Sequence, residues 1–362
     1  MTVPFDAGNP GDGALGLYSA VGDALADHRA GFGLRRAAVA AAFARTRGAT
    51  GDGIDANWYA GLLADIGRTE VVIAPDATEH TRTLLLADAP LYGARIVAAL
   101  PGLPAHAADV IRWHREHEDG TGFPDRLRWD GIPPDAAALG IVHAFLEACE
   151  DPEEPREPGE ALFTIMAQNG RRFRVELVRA FRDAMQQPGW DEAAPPAARP
   201  DDPALLPRLS ALLDGRSQRT SGRSARTAAL AGMLAERLGG DRARAERLAH
   251  LLALGNATAH HEDGDFDPLS RFARDRRVAA AKRAADVARG VPAFRSEATV
   301  LALCGDWHAG AAGDALAPVV GLAAAVDGLD PLDAPRLVAA ASGSQFDPAV
   351  VRVYLAALGA PT

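Results

Sequence analysis

Apolar residues recur with helical spacing along most of the chain. Between residues 222 and 239 they occupy positions i, i+3, i+4 and i+8, which lie on one face of a helix: Leu230, Met233, Leu234 and Leu238. Gly239 and Gly240 end this predicted helix, and Asp241 is a candidate N-cap for another that ends at Gly255. In the first half, GLRRAAVAAAFARTRG (33–48) predicts one helix and NWYAGLLADIG (57–67) another. The single strand signal is TEVVIA at 69–74, so the pattern predicts an all-α protein.

The two halves of the chain resemble each other. GLRRAAVAAAFA in the first half corresponds to SGRSARTAALAGMLA (221–235) in the second. LLADIG (62–67) corresponds to LLALG (251–255), and RRFRVELVRAF (171–181) corresponds to SQFDPAVVRVYL (344–355). The proline-rich, acidic stretch QQPGWDEAAPPAARPDDPALL predicts a linker over 186–206. We therefore expect a loose segment at 1–14, a domain at 15–185, the linker, and a second domain at 207–362.

Composition excludes several classes of protein. The chain has 362 residues, 48% of them hydrophobic, and a net charge of −10, which argues against a general nucleic-acid binder. Cys149 and Cys304 are far apart, so neither a disulfide scaffold nor a cysteine-based zinc site is expected. The N-terminus does not resemble a signal peptide, and no apolar stretch is long enough for a membrane span. These features predict a cytoplasmic protein without a membrane partner.

The residues richest in potential chemistry lie in WHREHEDGTGFPDRLRWDGIPPDAAALGIVHAFLEA (113–148). Just before a Gly-x-Gly turn, this stretch gathers imidazole and carboxylate groups that could bind a divalent metal: His114, Glu116, His117, Glu118 and Asp119. The same pattern is also typical of a charged helix end that a glycine turn terminates. The residues alone leave both interpretations open.

Several motifs together resemble the HD-GYP family, a helical branch of the HD phosphohydrolases. The Asp-Gly-x-Gly-Tyr-Pro signature of that family is matched by Asp119, Gly120, Gly122, Phe123 and Pro124, with phenylalanine in place of tyrosine. LLADIGRTEVVIAPDA (62–77) resembles the family's His-Asp segment, and GSQFDPAVVRVYL (343–355) resembles its closing helix. The resemblance implies two tandem HD-type helical domains. In this family, bound iron or manganese activates a water that attacks a phosphodiester, typically that of cyclic di-GMP.

Most metal-ligand positions implied by the resemblance are substituted. In the first half, non-ligating residues stand at four of them: Gly33, Ala64, Ala89 and Arg115. Asp65 and His114 are retained, His143 stands at the final aspartate position, and Arg68 replaces a phosphate-binding lysine. In the second half none is retained: the positions fall on Arg223, Leu252, Ala253, Ala324 and the region of Leu303 and Cys304. HHEDGD (260–265) predicts a solvated acidic loop, whereas Asp306 and His308 lie close to the expected ligand region.

Three functions follow from this pattern. The favoured one is a noncatalytic regulatory or scaffolding protein of bacterial nucleotide signalling, because a two-metal site does not survive the loss of four ligands. The second is a single-metal phosphodiesterase that uses Asp65, His114 and His143, with iron or manganese as its only expected cofactor. The third is a nucleotide or phosphate sensor in which Arg68 and Arg115 bind the ligand. The expected partner is a cyclic dinucleotide or a signalling protein.

Overall fold

The computed structural model describes residues 13–74, 76–191, 195–196, 202–218, 220–256, 269–305 and 313–360. The chain divides into two compact units, Met1–Asp202 and Pro203–Thr362. HHEDGD, Asp306 and His308 lie outside the described residues, as do residues 1–12. Each unit is described below by itself.

The first unit consists of α-helices joined by short turns. In chain order they are α1 (Ala14–Leu25), α2 (Phe32–Thr46), α3 (Asp52–Leu63), α4 (Glu79–Leu86), α5 (Ala89–Ala98), α6 (Ala105–Trp113), α7 (Pro134–Cys149), α8 (Pro158–Met166) and α9 (Val175–Ala184). Short 3-10 helices cover Ile66–Glu70 and Trp129–Gly131.

The described part of the second unit is helical as well. It contains α10 (Leu205–Asp214), α11 (Arg223–Arg237), α12 (Arg242–Leu252), α13 (Arg271–Arg289), α14 (Arg295–Leu303), α15 (Leu316–Val326), α16 (Ala334–Ala340) and α17 (Pro348–Ala357). Asp241 caps α12 as predicted, since its side chain accepts a hydrogen bond from the backbone N–H of Arg244 at 3.0 Å. The prediction of an all-α fold is confirmed.

The core of the first unit is built around α2, which packs against α3 and α7. Small residues on α2, among them Ala37 and Ala41, are fully buried, and they allow the neighbouring helices to approach closely. At the closest point a Cβ on Gly61 would lie 2.7 Å from the Cα of Ala37, so only glycine fits there. This approach brings the end of α3 next to the first turns of α2, where the candidate site lies.

The single strand signal, TEVVIA, does not form a strand. Thr69 and Glu70 belong to the 3-10 helix that follows α3, and residues 71–74 have no regular structure. Val71 is extended and buried, but among the described residues no neighbouring strand pairs with it. Thr69 and Val71 therefore fill core space rather than form a sheet, and Val72 is exposed.

Within the described ranges, no helix combines the length and the apolar character that crossing a membrane requires.

Candidate functional site

The centre of the candidate site is a buried ion pair between α2 and the turn after α3. Arg36 is fully buried, and its Nη1 donates to Oδ2 of Asp65 at 2.5 Å. Its Nε donates to the backbone carbonyl of Gly61 at 2.7 Å, which fixes the plane of the guanidinium group. Burial raises the pKa of Asp65, but the positive charges of Arg36, His143, Arg68 and His28 together outweigh it and hold that pKa well below its usual range.

His143 on α7 contacts this pair and lies between two arginines and Glu147. Nη1 of Arg36 lies 2.8 Å from Nδ1 of His143, and a guanidinium group can only donate, so Nδ1 accepts from it. Nε2 lies 2.8 Å from Oε1 of Glu147, an acceptor, and also 2.8 Å from Nη2 of Arg115, a second donor. Burial lowers the pKa of His143 to about 4, so the neutral ring is the form present near neutral pH.

His28 and Glu147, which the sequence analysis did not single out, complete the cluster. His28 Nδ1 lies 3.7 Å from Oδ2 of Asp65, and its Nε2 lies 3.7 Å from Oε1 of Glu147. Potential ligand atoms of His28, His143 and Glu147 lie within 4.8 Å of one another. These residues therefore form a possible His/Glu metal site, and it differs from the predicted set of Asp65, His114 and His143.

Two further arginines border the Asp65 carboxylate on the side of an open cleft. Nε of Arg68 lies 3.5 Å and Nη2 of Arg115 lies 3.7 Å from Oδ1 of Asp65. Both side chains are partly exposed, and both line a cleft of about 630 Å³ together with Asp65, His114 and Phe123. The structure thus brings the two predicted phosphate-binding arginines together in one cleft.

The glycine-rich signature turn holds the backbone at Arg115 in place. Oδ1 of Asp119 accepts from the backbone N–H of Thr121 at 3.0 Å, which closes the turn. Gly120 has a φ of +76°, and a Cβ on Gly122 would lie 2.3 Å from the backbone nitrogen of His117. After the turn, the N–H of Phe123 donates to the carbonyl of Arg115 at 3.1 Å, so the signature fixes the backbone that carries Arg115.

The acidic residues beside this turn contact neighbouring protein groups. Glu116 accepts from the backbone N–H groups of Asp125 and Leu127 at 2.7 and 2.9 Å. Glu118 is buried and pairs with Arg174 at 3.1 Å. These two carboxylates hold the loop, which favours the interpretation of a charged helix end that a glycine turn terminates.

His114 presents a single unused acceptor. Its Nδ1 lies 2.7 Å from the carbonyl of Ile111 and must donate to it, so Nε2 carries the lone pair. Among the described residues no group hydrogen-bonds to this buried Nε2. Burial, followed by the Arg115 charge, holds the pKa of His114 well below its usual range, so the ring is neutral.

The arrangement around Asp65 does not fit a divalent metal. A metal on Nε2 of His143 would displace the proton to Nδ1, where it would face an N–H group of Arg36. Oδ2 of Asp65 already accepts from Arg36, and a cation would also meet the charge of Arg115. Nε2 of His114 and Nδ1 of His28 have no hydrogen-bond partner among the described residues, and two imidazoles are fewer ligands than a divalent ion usually has.

The corresponding positions of the second unit also lie together. Arg223, Leu252, Ala253, Cys304 and Ala324 all line one cleft of about 510 Å³. None of these five side chains carries an imidazole or a carboxylate.

Comparisons with known proteins show what parts of the chain are similar to. Residues 20–177 match the family model of the HD domain. An 88-residue stretch, 24% of this chain, is 32% identical to the 3′3′-cGAMP-specific phosphodiesterase 2 of Vibrio cholerae serotype O1. That stretch spans 16% of the relative's length.

A solved structure extends the likeness of fold over the whole chain. The crystal structure described as a cyclic GMP-AMP specific phosphodiesterase of V. cholerae superposes with a TM-score of 0.69. The superposition covers 98% of each chain at 18% identity, so it shows a shared helical fold. The relative found by sequence is named a phosphodiesterase, which supports the phosphodiesterase hypothesis better than the noncatalytic one.

Proposed function

We propose that the first unit binds a cyclic dinucleotide, such as cyclic di-GMP or 3′3′-cGAMP, through its phosphodiester groups and does not hydrolyse it. The observation that carries this proposal is the placement of Arg68 and Arg115 in the cleft while Arg36 neutralises Asp65 from inside. The names of the relatives support a cyclic dinucleotide as the ligand.

The guanidinium groups that a ligand can reach favour an anion. Arg36 faces Asp65 from inside, the carboxylates of Glu147 and of Asp23, whose pKa burial raises to about 6, lie nearby, and His114 and His143 are neutral. Arg68 and Arg115 are the guanidinium groups that border the cleft, so a ligand entering the cleft meets them first. Each charge-assisted hydrogen bond to a phosphate oxygen contributes about 1.5–3 kcal/mol.

Titration calorimetry with the full chain in the presence of EDTA tests this proposal. We expect binding of cyclic di-GMP or 3′3′-cGAMP without metal, and an affinity at least about tenfold lower for Arg115→Ala. Arg95→Ala removes the same charge from an exposed position on α5 and should bind like the wild type. Equal affinities of Arg115→Ala and the wild type would contradict the proposal.

Metal-dependent hydrolysis is the second candidate, because the relatives are phosphodiesterases and His28, His143 and Glu147 lie close together. Turnover of a cyclic dinucleotide with added manganese or iron, abolished by both His28→Ala and His143→Ala, would establish it. Loss with His114→Ala would instead implicate the predicted set of Asp65, His114 and His143.

We also propose that the second unit is another HD-type domain, so that the chain is a tandem of HD-GYP-like domains. The support comes from contacts that recur in both units. Gly31 precedes α2 and Gly222 precedes α11, both with φ near +70 to +80°. Two residues after each glycine, a backbone N–H donates to a carboxylate: Gly33 to Asp23 in the first unit and Ser224 to Asp214 in the second.

Close backbone contacts recur as well. A Cβ on Gly67 would lie 1.9 Å from the carbonyl oxygen of Ala89, and one on Gly255 would lie 1.9 Å from that of Ala280. Isolated bridges join Asn169 to Phe173 and Ser342 to Phe346 near the end of each unit. We keep the boundaries 15–185 and 207–362 for these domains, with the linker at 186–206, and a cytoplasmic location for the protein.

A further inference from the structure

The turn that precedes α9 lies against the glycine-rich signature turn. The backbone N–H of Asp119 donates to the carbonyl of Arg171 at 2.9 Å, which joins the two turns. Gly170 has a φ of +73°, a conformation that glycine adopts without strain, and the chain reverses at this point. The sequence RRFR (171–174) therefore brings three arginines next to the segment that carries Arg115.

These three arginines have different surroundings. Arg174 pairs with the buried Glu118 at 3.1 Å and donates to the carbonyl of Trp129 at 2.7 Å, so it holds the loop. Arg171 is exposed to water and needs no partner. Arg172 is half-buried, and no group in the described part of the chain accepts a hydrogen bond from its guanidinium group or forms an ion pair with it. Such a cation requires an explanation, because polar groups withdrawn from water are ordinarily paired.

The side chain of Arg172 is held over an aromatic ring. Its Cζ lies 4.9 Å from the centre of the ring of Phe173, which is itself buried. A contact of this kind positions the guanidinium group without using any of its five N–H donors. As far as the chain is described, these donors are therefore available to a ligand.

The charges that act on Arg172 belong to the candidate site. Burial lowers the pKa of Arg172, the carboxylate of Glu147 opposes this shift, and the charge of Arg115 adds to it. The pKa of His117 is lowered to about 4, first by burial and then by the charges of Arg172 and Arg115, so this ring is neutral near neutral pH. Of the described carboxylates, Glu147 is the one that acts on Arg172, and two guanidinium groups face it.

Arg115 stands between the two carboxylates of the site. Its Nη2 lies 3.7 Å from Oδ1 of Asp65 and 3.6 Å from Oε1 of Glu147. Nε of Arg68 lies 3.5 Å from Oδ1 of Asp65, whereas Arg172 interacts with Glu147. The three partly exposed arginines therefore form a series with Arg115 in the middle.

We propose that Arg172 and Arg115 form a second phosphate position beside the cleft, so that the first unit selects ligands with two phosphodiester groups. This inference rests on the proposed function and specifies which arginines bind each part of the ligand. One phosphodiester lies between Arg68 and Arg115, and the other lies between Arg115 and Arg172. Planar guanidinium groups suit both positions, because each can donate two hydrogen bonds to phosphate oxygens. A nucleotide with a single phosphodiester fills the first position and gains nothing from Arg172.

Titration calorimetry of the full chain in EDTA, with two kinds of nucleotide, tests this inference. Cyclic di-GMP and 3′3′-cGAMP carry two phosphodiester groups, and 3′,5′-cyclic GMP carries one. We expect Arg172→Ala to lower the affinity for the cyclic dinucleotides by at least about tenfold and to leave the affinity for cyclic GMP unchanged. Arg115→Ala should lower the affinities for both kinds of nucleotide, because Arg115 belongs to both positions.

The matched control is Arg171→Ala. It removes the same charge from the exposed neighbouring position and keeps the backbone carbonyl that accepts from Asp119, so it should bind like the wild type. Arg172→Gln retains much of the length of the side chain without its charge, and it serves if Arg172→Ala lowers the melting temperature through the lost contact with Phe173.

The possible failures of this inference and of the proposed function are distinguishable. If Arg115→Ala weakens dinucleotide binding while Arg172→Ala and Arg172→Gln bind like Arg171→Ala, the inference is overturned and the proposed function stands. An equal loss of affinity for cyclic GMP in Arg172→Ala also overturns it, because Arg172 would then belong to the first position. If the wild type binds none of these nucleotides, the proposed function fails and the inference fails with it.

Discussion

The guanidinium group of Arg36 lies 2.5 Å from the carboxylate of Asp65, and both side chains are buried. The resemblance to the HD-GYP family predicts a metal-binding aspartate at the position of Asp65. Here a cation carried by the chain itself neutralises it. This relationship explains how a carboxylate persists in the interior although most of the surrounding ligand positions have been substituted.

Replacing Arg36 by Ala should therefore destabilise the first unit. Asp65 would lose its buried counter-charge, and His143 would lose the donor to its Nδ1. Breaking one side of a buried ion pair costs about 3–5 kcal/mol, so we expect a loss of this size in urea or thermal unfolding. Arg45→Ala, an exposed position on the same helix, should change stability by no more than about 0.5 kcal/mol.

A double-mutant cycle separates the pair from other effects of the substitution. Arg36→Thr combined with Asp65→Ala reproduces the residues found at the equivalent positions of the second unit, Thr227 and Ala253. The double variant should be more stable than Arg36→Thr alone, because no unpaired charge is left. Additive losses from the two single substitutions would show that the ion pair contributes nothing.

Metal removal should leave the wild-type protein unchanged. Because the ligand atoms of Asp65 and His143 are engaged by Arg36, EDTA should not lower the melting temperature, and added manganese should not raise it. Elemental analysis of the purified chain checks the same point. A stoichiometric metal that disappears in His143→Ala but not in His117→Ala would mean that the guanidinium group is displaced in solution.

Much of the fold could be predicted from the sequence, because apolar periodicity and helix-ending glycines are local signals. The helix predicted at 33–48 is observed as Phe32–Thr46, and the predicted helix end at Gly255 falls in the 3-10 helix Ala253–Asn256 that follows α12. The weak strand signal of TEVVIA shows that a short apolar segment fits a strand and an irregular segment equally well.

The site was harder to predict because its key residue looks unremarkable in the sequence. Arg36 lies in an alanine-rich helix, where an arginine ordinarily points to solvent. A partial signal was present: apart from its three arginines and Thr46, α2 consists of apolar residues and glycine, which is typical of a largely buried helix, although Arg45 near its end is exposed. Glu147 could also have been found, since it lies one helical turn after His143 on the same face of α7.

Asp23 gives the first unit a characteristic dependence on pH. Burial raises the pKa of Asp23 from 3.8 to about 6, and the nearby Asp65 charge adds to this, while Arg36 and His28 oppose it. Between these two values the unfolded state releases its proton and the folded state retains it, so stability should fall as the pH rises from about 4 to 6. Two pKa units correspond to about 3 kcal/mol.

The variant Asp23→Asn should remove this fall. Its carbonyl oxygen can still accept from the backbone N–H of Gly33, as Oδ1 of Asp23 does at 2.9 Å. Urea unfolding at a series of pH values measures the difference between variant and wild type. Asp27→Asn, an exposed position in the next turn, is the matched control and should retain the wild-type slope. Parallel pH profiles of Asp23→Asn and the wild type would refute the assignment.

Gly67 and Gly255 should be intolerant of any side chain, each in its own unit. A Cβ at either position would lie 1.9 Å from a backbone carbonyl oxygen, that of Ala89 or Ala280, and backbone cannot move aside as a flexible side chain can. We therefore expect Gly67→Ala and Gly255→Ala each to lower the free energy of unfolding by about 1–3 kcal/mol or more. Gly53→Ala on α3, where the nearest atom would be 3.6 Å away, should be neutral or stabilising because alanine favours helix.

If the units are the paired domains proposed above, hydrogen exchange should show the loss of protection in the mutated unit. A Gly255→Ala variant as stable as Gly53→Ala would contradict the close contact and remove one support for a second HD-type domain.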